Sequence, residues 1–140
     1  MTYVDGFVVA VPTENKQAYL DFARKSVPVF KKYGALRMVE TWGNEVPDGE
    51  LTSFPKAVQA KPDETVVFSW IEWPSKAARD EGMALAEKDP FFANADYVSF
   101  DGKRMIFGSF DVILDACLCR IFTNQNCKFR KIRKPTSSRH

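Results

Sequence analysis

The chain has 140 residues, is 45% hydrophobic and 14% aromatic, and carries a formal net charge of +2. All 18 acidic residues and 13 of the 20 basic ones lie before residue 116, while seven basic residues and no acidic one follow it. The three cysteines (Cys117, Cys119, Cys127) and the one histidine, His140, also fall in that basic tail, so the body holds no Cys or His nucleophile, base or metal ligand.

A single domain is the expectation at this length, and burying roughly two thirds of the unfolded surface makes a core without disulfides or metal. The division expected is a domain over residues 1–116 and a separate tail over 117–140. No apolar run approaches the ~20 residues that span a bilayer, and residues 1–11 lack a basic n-region and a cleavage site. No membrane partner is therefore expected, and the cysteine-free body fits a cytoplasmic location.

Residues 3–11, YVDGFVVAV, read as a first strand ended by Pro12. Asp5 is polar within an apolar ribbon, and Gly6 marks either a bulge or a close backbone approach. Thr13 is the expected N-cap of a helix running to Tyr33, with Glu14 in its first turn. Tyr19, Phe22, Ala23, Phe30 and Tyr33 recur at helical spacing and form its inward stripe. Pro28 should kink or break this helix near Ser26, and Gly34 should stop it.

Residues 36–42 alternate as a second strand, with Leu36, Met38, Glu40 and Trp42 on one face. Residues 43–64 are long for a connection, and the stretch around Thr52–Gln59 reads as a hairpin or as a segment lying across the mouth of the sheet. Residues 65–73, TVVFSWIEW, form a strand that is mostly apolar on both faces, so it belongs inside a sheet covered on two sides. Ser75 is the N-cap of a helix over Lys76–Lys88, in which Gly82 either weakens the helix or permits close packing. Asp89-Pro90 ends it, Phe91, Phe92 and Tyr97 form a hydrophobic plug, and residues 104–114 make a last strand.

The order β-α-β-β-α-β is that of an α+β, ferredoxin-like fold. Right-handed crossovers place the first and third strands in the centre of a four-stranded antiparallel sheet, with both main helices on one face. The other face is then bare but apolar, and a homodimer packing sheet on sheet covers it.

The blocks YVDGFVVAVP, GALRMVETWG, VPDGELTSFPKAV, ETVVFSWIEWPS and FDGKRMIFGSFDVILD resemble the YbaA-like family of small bacterial proteins of unknown function, over about residues 2–115. That resemblance implies a dimeric α/β-barrel, in which two ferredoxin-like subunits join their sheets. Relatives in that superfamily include cofactor-free monooxygenases, isomerases, haem-degrading enzymes and plain ligand binders, so it implies no particular reaction. The tail resembles no continuation of the domain.

The candidate pocket comprises Asp5, Glu40, Trp42, Ser69, Trp70 and Arg104. A carboxylate set among apolar side chains has its charged form disfavoured and can act as acid or base. Glu40 leads because Leu36, Met38 and Trp42 share its face; Asp5 follows. Each of these has a plainer alternative: a solvent-facing strand end, an ion pair with Arg37, Lys103 or Arg104, or, for the tryptophans, core packing.

No phosphate-binding loop, dinucleotide fingerprint or regular zinc module is present, so no cofactor and no metal are expected. The reading is a dimeric small-molecule-binding protein. The alternative is a cofactor-independent monooxygenase or isomerase. Nucleic-acid binding through the basic run at residues 128–134 is the least favoured.

Overall fold

The computed structural model describes residues 2–94 and 99–118. Four strands form one antiparallel sheet: β1 (Tyr3–Pro12), β2 (Arg37–Trp42), β3 (Glu64–Trp73) and β4 (Ile106–Asp111). The helices are α1 (Lys16–Lys32), the short α2 (Phe54–Ala57), α3 (Lys76–Lys88) and the short α4 (Pro90–Ala93). Strand order is β2-β3-β1-β4, so the most apolar strands are central and the shorter ones lie at the edges. The fold is ferredoxin-like.

The register decides which side chains meet. Glu40 lies opposite Ser69 and Trp42 opposite Val67. Phe7 lies opposite both Ser69 and Phe107, and Asp5 opposite both Ile71 and Ser109. Odd positions of β1 and β3 therefore share a face with even positions of β2, and this face carries α1 and α3. Val9, Val11 and Val67 make its core, with Tyr19, Trp42, Phe100 and Met105 packed against them. Valines fully removed from water contribute roughly 1.5–3 kcal/mol each. Trp73 is fully buried at the other end, where its ring lies on α3. A Cβ on Gly82 would come within 2.5 Å of that ring and of the Tyr33 carbonyl, so the glycine permits close packing.

On the opposite face, Ala10, Val58 and Val66 form a small second core beneath the α2 segment. That segment is a helix rather than a hairpin, because Ser53 accepts from the Lys56 amide and a proline sits in the first turn. Beyond it, no other described element covers this face. The Phe110 ring lies over Gly6 and Gly108. Close approach of that ring, and not a bulge, accounts for Gly6, since β1 pairs without interruption on both sides.

Three local expectations are corrected. A 3-10 turn over Thr13–Asn15 precedes α1, and the Thr13 hydroxyl makes no cap. It meets the Thr65 hydroxyl at 2.7 Å instead, tying the end of β1 to the start of β3. Pro28 does not break α1. Pro28 and Arg24 are both exposed, so the carbonyl that loses its amide partner is hydrated rather than orphaned. The last strand starts later than expected, because Gly102–Arg104 form a 3-10 turn in which Asp101 accepts from the Lys103 amide. It also ends earlier, at Asp111, where its partner β1 begins. The caps at Ser75 and the stop at Gly34, whose φ is +101°, are as expected. Tyr97 lies outside the described residues, as do Cys119, Cys127, His140 and the basic run.

Candidate functional site

Between α1, α4 and the helix-covered face of the sheet lies a cavity of about 130 Å³. An engineered cavity of about 150 Å³ accommodates benzene, so the space suits one ring. Its walls come mostly from aromatic and sulfur-containing side chains: Phe7, Phe22, Phe30, Phe92, Met38 and Met105 among them. Phe22 stacks on Phe91 at 5.5 Å, and Phe30 meets Phe92 at 5.4 Å, which seats α4 against α1. Asp89 caps α4 through the Phe91 amide and accepts from the Tyr33 hydroxyl at 2.8 Å. These donors, backbone amide first, hold its carboxyl below the usual range.

The polar atoms of the cavity cluster at Glu40. Tyr19 donates its hydroxyl proton to Glu40 Oε2 at 2.6 Å. Ser69, 4% exposed, faces Glu40 across the β2–β3 pair. Burial pushes the Glu40 carboxyl above its ordinary value, and hydrogen bonds from Tyr19 and Ser69 only partly oppose this. The Tyr19 phenol is pushed far up, first by burial and then by the neighbouring carboxylate. Among the described residues no Lys, Arg or His lines the cavity. Ser26 is buried at the helix side, where it donates to the Ala23 carbonyl at 2.6 Å.

Of the six candidate residues, the structure brings Glu40 and Ser69 into the cavity. Trp42 shares their face and packs on the core, and Lys16 Nζ lies 5.4 Å from its ring centroid. Trp70 points to the opposite face, against Phe68 at 5.4 Å. It cannot share a pocket with Glu40, because the register pairs Glu40 with an odd position of β3.

Arg104 forms a two-pronged pair with Glu64, both contacts at 2.7 Å, and a further one with Asp101. These partners hold Arg104 fully charged and Glu64 below its ordinary value, chiefly through the hydrogen bonds between them. Asp5, 2% exposed, is saturated with donors. Arg79 Nη2 lies 2.9 Å from its Oδ1, Trp73 Nε1 donates to Oδ2 at 2.9 Å, and Ser109 donates to Oδ1 at 2.7 Å. That network joins β1, β3, β4 and α3, and leaves the carboxylate no lone pair aimed at open space.

Sequence reading singled out Tyr19 only as part of a helix stripe. Its signal was present: a tyrosine among phenylalanines on an inward stripe must find a partner for its hydroxyl. What was missing was the partner's position. Among the described residues no group of three metal-ligating side chains occurs, and no helix is long and apolar enough to cross a membrane.

Comparison with known proteins follows the same lines as the fold. Residues 2–102 match the family described as "Protein of unknown function (DUF1428)". The chain is 53% identical over 116 residues to the uncharacterized protein YbaA of Escherichia coli K12, covering 82% of this chain and 99% of that protein. The Shigella flexneri YbaA matches to the same extent. Among solved structures, a dimeric ferredoxin-like protein from an uncultured marine organism aligns with a TM-score of 0.56 at 14% identity, over 82% of this chain and 98% of that one. Rv0793 from Mycobacterium tuberculosis aligns with a TM-score of 0.51 at 13% identity, over 84% of this chain and all of that one. At such identities the likeness is one of fold alone.

Proposed function

The chain belongs to the DUF1428 family, and on that premise we propose that it binds a small, mostly apolar molecule of about one ring in the cavity beside Glu40. The observation that carries this reading is a half-buried carboxylate set, with one tyrosine and one serine, into an otherwise apolar cavity of about 130 Å³. Ligand sites have this build, with apolar walls and a few convergent polar groups.

The methionines provide a direct test. Met38 and Met105 line the cavity and Met83 does not. With 13C-methyl-labelled methionine, titration with benzene should shift the Met38 and Met105 signals and leave Met83 in place. Unmoved signals at saturating benzene would overturn the reading.

A second reading, a cofactor-independent enzyme, rests on the same carboxylate, since burial that raises Glu40 makes it a stronger base. Deuterium exchange into the carbons beside the carbonyl of cyclohexanone, catalysed by the chain and lost in Glu40→Gln, would support it. Exchange at the buffer rate leaves binding alone.

The active species proposed is a homodimer joined through the bare sheet face. Phe54, Phe68, Ile106 and Phe110 are 49%, 44%, 44% and 59% exposed there. Contiguous apolar surface of this kind marks an interaction site, and one solved relative by fold is described as dimeric. Sedimentation at micromolar concentration should give a dimer that Phe110→Asp dissociates; a stable monomer of the parent chain overturns it. The domain proposed spans residues 1–116, so truncation after Ala116 should preserve fold and dimer.

A further inference from the structure

The cavity's hydroxyl protons are already committed within the protein. Tyr19 gives its proton to Glu40, and Ser26 gives its own to the Ala23 carbonyl. Ser69 is the remaining hydroxyl among the described lining residues, opposite Glu40 in the β2–β3 pair, and it favours the charged forms of both Glu40 and Tyr19. The backbone amides of the central strands are engaged in the sheet ladders. What the walls present to an occupant is therefore a set of acceptors: the remaining lone pairs of Glu40 and of the hydroxyl oxygens. Among the described lining residues a ligand that needs donors finds few, whereas one that brings donors finds several acceptors.

Charge narrows the choice further. Glu40 has no ion-pair partner among the described residues, and no cation lines the cavity. Lys16, one turn before Tyr19 on α1, is held over the Trp42 ring. The other groups facing Glu40 are Tyr19 from α1 and Ser69 from β3, and the elements closing the cavity contribute Phe92 and Phe100. An anionic ligand would set its charge against Glu40 with no counter-charge nearby, in surroundings where charge repulsion is poorly screened. An ammonium group would supply up to three donors and the missing counter-charge, and the ring faces around it attract cations.

We propose that the cavity selects a protonated amine carried on a single ring, with the Glu40 carboxylate as its counter-ion. The proposal rests on the binding reading above and adds the ligand's chemical class. At Asp5 the same face of the sheet meets its buried carboxylate with a guanidinium from the protein itself. At Glu40 that place is left to the ligand.

Three probes of matched shape test this on the full chain: benzylamine, benzyl alcohol and benzoate, compared by calorimetry near neutral pH. Benzylamine should bind at least about tenfold more tightly than benzyl alcohol, and benzoate should not bind measurably. In Glu40→Gln, which keeps the shape and an acceptor oxygen, the preference for the amine should vanish while the alcohol still binds. In the parent chain the amine's affinity should fall as pH drops and Glu40 takes up a proton, whereas the alcohol's should not. This pH comparison needs no variant.

Benzyl alcohol binding as tightly as the amine, or benzoate binding at all, overturns the amine proposal and leaves the cavity reading standing. Failure of all three probes, together with unmoved methionine signals in benzene, overturns both.

Discussion

Two carboxylates, Asp5 buried and Glu40 half-buried, lie on the same face of one sheet, and their surroundings have little in common. Asp5 sits near the α3 end with a guanidinium, an indole N–H and a hydroxyl all donating to it. Glu40 sits near the α1–α4 end with two hydroxyls, aromatic walls and an open cavity. A carboxylate neutralised and fully hydrogen-bonded by its own protein is part of the scaffold, because any ligand would have to displace bonds already made. One left without a counter-ion beside empty space is poised for binding or proton transfer. Asp5 is the more buried of the two, but burial is not what decides their roles. The presence of Arg79 does.

The largest expected effect comes from breaking the scaffold side. Asp5→Ala leaves a guanidinium, an indole N–H and a serine without their acceptor, and loss of one partner from a buried pair costs about 3–5 kcal/mol. Arg79 keeps a side-chain exposure of 27% and can recover some hydration, so about 3 kcal/mol is expected, or a fall of roughly 10 °C in melting temperature. A loss below about 1 kcal/mol in urea denaturation would remove the contrast between the two sites.

Next in size is Gly82→Ala. The added methyl would press on the Trp73 ring, which donates to Asp5, and overpacking of this kind costs about 1–3 kcal/mol. Benzene binding in the cavity, which Ile71 also lines, should persist; its loss would show that the two ends are coupled.

Glu40→Gln is expected to act in the opposite direction. Burial raises the Glu40 carboxyl in the folded chain, so its share of stability is intact below the ordinary carboxylate range and is lost as pH rises through the raised value. The variant has no such loss. It should lie nearest the parent at low pH and gain on it as pH rises. Equal pH profiles for the two proteins would show that Glu40 is solvated as an ordinary surface group.

The smallest effect sharpens the comparison by its absence. Trp70→Phe, on the far face, should leave the benzene-induced Met38 and Met105 shifts unchanged. A change there would show that the two faces communicate.

Much of this was legible in the sequence for reasons of short range. Alternation in residues 65–73 and helical spacing in residues 16–33 depend on neighbouring residues, and they set the element order, the central strands and the bare apolar face. Glu40 stood out because Met38 and Trp42 flank it on the same strand face. Pro28 misled because proline's cost depends on whether the freed carbonyl reaches water, and that depends on which way the helix faces the sheet.

The site itself needed tertiary structure. Strand periodicity states which residues of one strand share a face, but not which face of the next strand they join; only the register joined Glu40 to Ser69 and sent Trp70 to the other side. Asp5 and Glu40 looked alike as polar residues in apolar strands. Their difference came from Arg79, 74 positions away from Asp5, and from the absence of any such ion pair at Glu40 among the described residues. Local pattern determined the fold because secondary structure is a short-range property of the chain. The charge state and purpose of a buried carboxylate depend on which distant donors folding brings within 3 Å, and only the assembled sheet and helices decide that.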